Sequence, residues 1–190
     1  MEDMFERIKN QYEEVYEGRR YMRKVKNNFY EQSLNDLLIA DRESLLVEMI
    51  TSLTEYNSKL DTMRIMCIID CRVDNSDREE VQTKTIGLLQ EEVLRYRSAV
   101  SFALIYARRK RENKDPEFIE QIAKMEEKEI TPAYRFLRVE AETLELLAKK
   151  LNTVKSKDIR NGKEFIKELV READRGYMDN NLGGMSWSKN

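Results

Sequence analysis

The Glu-x-x-Glu pairs Glu14/Glu17, Glu117/Glu120 and Glu142/Glu145, and the Cys-x-x-x-Cys pair Cys67/Cys71 in "MCIIDC", are the groupings most able to do chemistry. On a helix, spacings of three and four place both side chains of a pair on one face. Paired carboxylates of this kind hold magnesium when a second helix adds a Glu-x-x-Asp. None follows any of these pairs at suitable spacing, so they read as solvated faces of a Glu-rich chain. Two cysteines cannot build a disulfide framework or a four-thiolate metal site. Cys67 and Cys71 read instead as small, soft core side chains.

Histidine is absent, which removes the side chain that titrates near neutrality and the commonest zinc ligand. Ser-His and Cys-His nucleophile pairs are excluded with it, as is a di-iron bundle built on Glu-x-x-His. "GLLQEE" and "NNLGGMS" match neither the phosphate-loop nor the dinucleotide pattern. The expectation is a protein that is not an enzyme, with no catalytic residue, no metal and no cofactor.

Charge offers a different kind of site. "LLQEEVLRYRSAVSFALIYARRKREN" (88–113) ends in Arg108, Arg109, Lys110 and Arg111, and "RRYMRKVK" (19–26) adds Arg19, Arg20, Arg23 and Lys24. Four cations in a last helical turn offset the helix dipole. They could also dock a phosphate backbone or an acidic protein surface, with salt-sensitive contact and no sequence readout. Bulk charge does not drive such contact, because 34 Lys and Arg face 36 Asp and Glu. Trp187 stands near the carboxyl end with Leu182 and Met185, either as a frayed end or as a peptide anchor for a partner's groove.

These groups must be carried by helices. Gly and Pro are scarce, six and two in 190 residues, and four apolar stripes step by three and four. They are Phe5, Ile8, Tyr12, Val15 and Met22; Leu46, Met49, Leu53, Tyr56, Leu60, Met63 and Cys67; Leu89, Val93, Tyr96, Val100, Ala103 and Ala107; and Leu137, Ala141, Leu144, Ala148 and Leu151. "FYEQSLNDLLIADRES" predicts a shorter helix ending near Ala40. "RVDNSDRE" (72–79) predicts a capped loop before a central helix over 79–112. Asp115 with Pro116, and Thr131 with Pro132, predict two further helix starts. One short helix, "GKEFIKELVREADRG", follows. The fold class is therefore all-α, a bundle of five or six long amphipathic helices. The divisions expected are a bundle over 1–151, a helical appendage over 152–176 and a flexible tail over 177–190.

The uncharged run from Ser98 to Ala107 is ten residues long, against roughly 20 for a membrane span. Its small residues suit close helix packing. Nothing at the amino end reads as a signal peptide, and a cytoplasmic protein is expected, with nucleoid or nuclear association where it meets DNA.

Three segments in order resemble the archaeal-type GINS replication-complex subunits: "VKNNFYEQSLNDLL" (25–38), "LLQEEVLRYRSAVSFALIYARRK" (88–110) and "DPEFIEQIAKMEEKE" (115–129). The resemblance covers the helical domain only, over residues 1–130. The family's lysine after the conserved-type arginine has no counterpart beside Arg97, and residues 152–190 do not read as its β-rich domain. It implies a helical scaffold of a replicative helicase-accessory complex. The functional expectation is a non-catalytic scaffold or adaptor subunit whose partners are other protein subunits, as homo- or hetero-oligomer. The alternative is a small viral or plasmid-type DNA- or RNA-binding accessory protein that uses a local basic patch without sequence specificity.

Overall fold

The computed structural model describes residues 39–110, 115–125, 128 and 130–182. Six helices fill them: α1 (Ile39–Val73), α2 (Glu79–Lys110), α3 (Pro116–Met125), α4 (Thr131–Arg138), α5 (Glu140–Leu151) and α6 (Gly162–Leu182). No strand occurs among the described residues, so the fold is all-α. Contacts divide the chain into two compact units, Met1–Met63 with Gln90–Arg138, and Arg64–Leu89 with Val139–Asn190.

In the first unit, the α1 stripe Leu46, Met49, Leu53, Tyr56, Leu60 and Met63 is buried throughout, as its spacing predicts. Val93, Tyr96, Val100 and Ala103 of α2 are buried as well. The segments run antiparallel and in step: Glu43 meets Arg108, and 18 residues on, Asp61 meets Gln90, itself 18 residues before Arg108. From α4, Phe136 enters the core between two tyrosines. Its ring is 5.2 Å from Tyr56, edge-on, and 5.4 Å from Tyr96, tilted. Such geometries favour aromatic quadrupoles. The start of α3 follows its sequence signal, since Asp115 Oδ1 accepts the Glu117 N–H at 3.0 Å and Pro116 stands first in the helix. Tyr106 of α2 and Phe118 of α3 pack with centroids 5.7 Å apart.

The second unit begins with the end of α1. Ser76 N–H donates to Cys71 O at 2.8 Å, and Asn75 between them has φ 52. This is a Schellman-type stop with asparagine in the left-handed position. Ser76 Oγ then accepts the Arg78 N–H at 3.3 Å and opens α2. On α6, Ile166, Leu169, Ala173 and Tyr177 are buried at steps of three and four. Val139, Ala173 and Tyr177 form one cluster, with Val170 against it. Lys150 of α5 and Glu172 of α6 are 2.8 Å apart.

Several boundaries differ from the sequence expectation. The chain is helical without a break from Ile39 through Val73, so no helix ends near Ala40; "IADRES" contains neither Pro nor Gly to force one. Residues 131–151 are two helices rather than one, interrupted at Val139 (φ −111, ψ 24). The interruption lets Phe136 serve one core and Val139 the other. Finally, α6 runs past Gly176 to Leu182, because Tyr177 one residue later is buried. That burial outweighs the roughly 1 kcal/mol that an interior glycine costs a helix.

Candidate interaction surface

Of the cations singled out by sequence, Arg108 and Arg109 stand exposed on the last turn of α2, and Lys110 is its final residue. Arg108 Nε is 3.9 Å from Glu43 Oε2, a loose pair between an exposed arginine and a half-buried glutamate. Arg111, Arg19, Arg20, Arg23, Lys24 and Trp187 lie outside the described residues, as does the Glu14/Glu17 pair.

Glu117 and Glu120 are exposed, and Glu120 pairs with Lys124 at 2.7 Å. Glu145 pairs with Lys149 at 2.7 Å. No group of three His, Cys, Asp or Glu able to hold a metal occurs among the described residues. Cys67 and Cys71 are both buried and free. Burial pushes the Cys67 thiol up to about 12, with the neighbouring Cys71 and Asp70 adding to the shift, so it carries almost no thiolate at neutral pH. Cys71 Sγ donates to Gln82 Oε1 at 3.2 Å, and Gln82 Nε2 donates to Leu151 O at 3.2 Å.

A hollow of about 210 Å³ lies among Glu80, Val81, Lys84, Ser156 and Ile159. Ligand sites usually occupy roughly 300–1,000 Å³. The Lys84 ammonium hydrogen-bonds Glu80 and holds its carboxyl below the usual range. The two charges are thus satisfied by each other.

Two surfaces remain that sequence reasoning missed. Along α1 in the first unit, Ser44, Val47, Thr51, Thr54 and Ser58 are exposed and Thr62 is half-buried. They share one face at helical spacing, and none is charged in a chain where 37% of residues are. Four of the hydroxyls donate back along the helix: Thr51 to Val47 O at 3.1 Å, Thr54 to Ile50 O at 2.8 Å, Ser58 to Thr54 O at 3.2 Å and Thr62 to Ser58 O at 3.1 Å. With their protons spent on the backbone, these side chains present methyl and methylene groups outward. In the second unit Ile65, Ile69 and Val73 are exposed at steps of four.

The second surface is on α2, opposite Val93, Tyr96, Val100 and Ala103. Glu91, Arg95, Ser98, Phe102, Ile105 and Arg109 are all exposed, and they step by four, three, four, three and four. Phe102 is 58% and Ile105 47% accessible; a phenylalanine so exposed within a 32-residue helix has no core role. Arg95 is drawn sideways, donating to Glu92 at 2.7 and 3.0 Å with its guanidinium 4.7 Å from the Tyr96 ring centroid. No helix among the described residues is long and apolar enough to cross a membrane. No family model, no curated protein and no solved structure matches this chain.

Proposed function

We propose that the protein is a non-catalytic helical scaffold or adaptor subunit that docks helices of other protein subunits. The uncharged face of α1 carries this reading. Docking a helix there takes Thr51, Thr54, Ser58 and Thr62 out of water while each hydroxyl keeps its donated bond to the backbone. The desolvation cost that normally opposes burial of a polar face is therefore small, and small side chains let two helices approach closely. A DNA-replication complex, the setting the GINS resemblance implies, is the place to look for the partner.

Co-purification of the tagged chain from its native host, with and without Thr54→Arg and Ser58→Glu, tests the proposal. Both sites are exposed, so the helix should tolerate the substitutions. A set of proteins retained by the natural chain and lost from both variants is expected. An identical set in all three preparations sinks it.

A second reading, a nucleic-acid-binding accessory protein, is favoured by one observation: Arg109 and Arg108 are exposed side by side at the end of α2. It predicts binding to duplex or single-stranded DNA whose log affinity falls with log salt, and a shallower slope in Arg108→Glu/Arg109→Glu. Salt-independent binding, or none, removes that reading.

A further inference from the structure

The exposed row on α2 is symmetric about its own midpoint. Its six positions, Glu91, Arg95, Ser98, Phe102, Ile105 and Arg109, mirror one another about residue 100: Glu91 against Arg109, Arg95 against Ile105, Ser98 against Phe102. Alternating steps of four and three are the pattern that keeps a seam facing a partner helix. A seam that matches itself when reversed is what a two-fold, antiparallel helix pair requires.

We propose that a second copy of this chain occupies the face, with α2 packed antiparallel on α2 of the other copy. The inference rests on the reading of the protein as an assembly module, and it names one partner of that module. Each layer is chemically matched. At the two ends Glu91 of one copy meets Arg109 of the other, so both ends close on opposite charges. In the middle the Phe102 ring sits over Ser98 of the second copy, a large side chain opposite a small one, and this happens twice. Between them Ile105 lies along the aliphatic stem of Arg95, whose guanidinium is already held by Glu92 and the Tyr96 ring. A parallel pair would instead stack Glu91 on Glu91 and Arg109 on Arg109, placing like charges together at both ends.

The symmetry supplies a test that no other occupant passes. Light scattering after gel filtration and sedimentation velocity, over a concentration series from micromolar to hundreds of micromolar, should show a monomer–dimer equilibrium weakened by salt. Glu91→Arg alone and Arg109→Glu alone each create two like-charge layers and should weaken the dimer by about tenfold or more. In E91R/R109E the layers are opposite again, and the dimer should return to within about threefold of the natural chain. Phe102→Asp should abolish it. Far-ultraviolet circular dichroism on every variant verifies that the helices are kept.

A chain that stays monomeric over the whole series overturns the inference. So does a dimer indifferent to either single reversal, since it must then use another face. A double variant as weak as the singles also overturns it, because that pattern belongs to a hetero-partner or to an acidic segment of the same chain. None of these results touches the α1 face. A monomer that still retains host proteins leaves the scaffold reading standing, and a dimer that retains none removes that reading while the α2 pairing survives.

Discussion

The Arg78 guanidinium donates from Nη2 to two backbone carbonyls past its own helix, Leu151 O at 3.0 Å and Val154 O at 2.8 Å. Arg78 precedes α2 by one residue, while Leu151 ends α5. A cation on the last carbonyls of a helix both satisfies orphan acceptors and opposes the negative end of the dipole. Gln82 reaches the same Leu151 oxygen at 3.2 Å and ties Cys71 into the network. One side chain thus joins the start of α2 to the end of α5 within the second unit.

Replacing Arg78 should therefore cost more than an ordinary surface arginine. A hydrogen bond to a charged group contributes about 1.5–3 kcal/mol; Arg78 makes two, both from Nη2, and Arg78→Ala should lower the unfolding free energy by at least about the value of one. Arg78→Lys keeps the charge without the fork and should fall between. Urea unfolding followed by circular dichroism measures both. An alanine variant within 0.5 kcal/mol, the usual range for roughly neutral surface changes, would remove the role assigned to Arg78.

Cys67 makes an alkaline prediction. Its folded thiol is pushed up to about 12 from an ordinary 9.0. Between these values the unfolded chain loses its proton while the folded chain keeps it. The unfolded state then binds fewer protons, and stability falls as pH rises through that window. The Tyr96 hydroxyl is also held above its ordinary value, by burial and then by the Glu92 carboxylate, and acts in the same direction. Denaturant midpoints measured from pH 8 upward should fall, and Cys67→Ala should flatten the fall. At pH 8 neither thiol should react readily with a disulfide reagent until the chain is unfolded. Fast labelling of the native protein at Cys67 would contradict the burial argument.

Phe136 anchors the first unit through Tyr56 and Tyr96, and its side chain is 1% accessible. Phe136→Ala should destabilise by about 3–5 kcal/mol, and Phe136→Leu by less. Near-ultraviolet circular dichroism should lose the tyrosine signal in step with stability. An unchanged aromatic spectrum in the alanine variant would show that the three rings do not form one packed group.

How much of this was readable beforehand depends on whether the deciding contact was local. The α1 stripe and the Asp115–Pro116 start were legible because spacing and cap chemistry are written within a few residues. The break at Val139 was not. No Gly, Pro or capping side chain marks it, and Val139 makes no side-chain cap bond; only the demands of two separate cores explain it. The end of α6 was misjudged because Gly176 looks like a stop, while the burial of Tyr177 that overrides it is a tertiary fact. The exposed row on α2 steps by four and three, yet Glu91, Arg95 and Arg109 give it the composition of an ordinary solvated face. The hydroxyl face of α1 was hidden for a related reason: Thr and Ser read as polar until their donors are found turned onto the backbone.

Gly162 offers the most discriminating test of local packing. It opens α6, with Asn161 Oδ1 accepting the Glu164 N–H at 3.4 Å as an N-cap. A Cβ on Gly162 would overlap Leu88 Cδ2 and lie 3.2 and 3.3 Å from Cδ1 and Cγ. Its φ is not positive, so the requirement is for space rather than backbone freedom. Leu88 is half-buried and can yield to a methyl, so Gly162→Ala should cost little. Gly162→Val has nowhere to put its branch and should cost about 1–3 kcal/mol. Leu88→Ala opens the volume that the valine needs, and Leu88→Ala/Gly162→Val should be more stable than the two single losses added together. Strict additivity in thermal or urea unfolding would show that the two residues do not share that space.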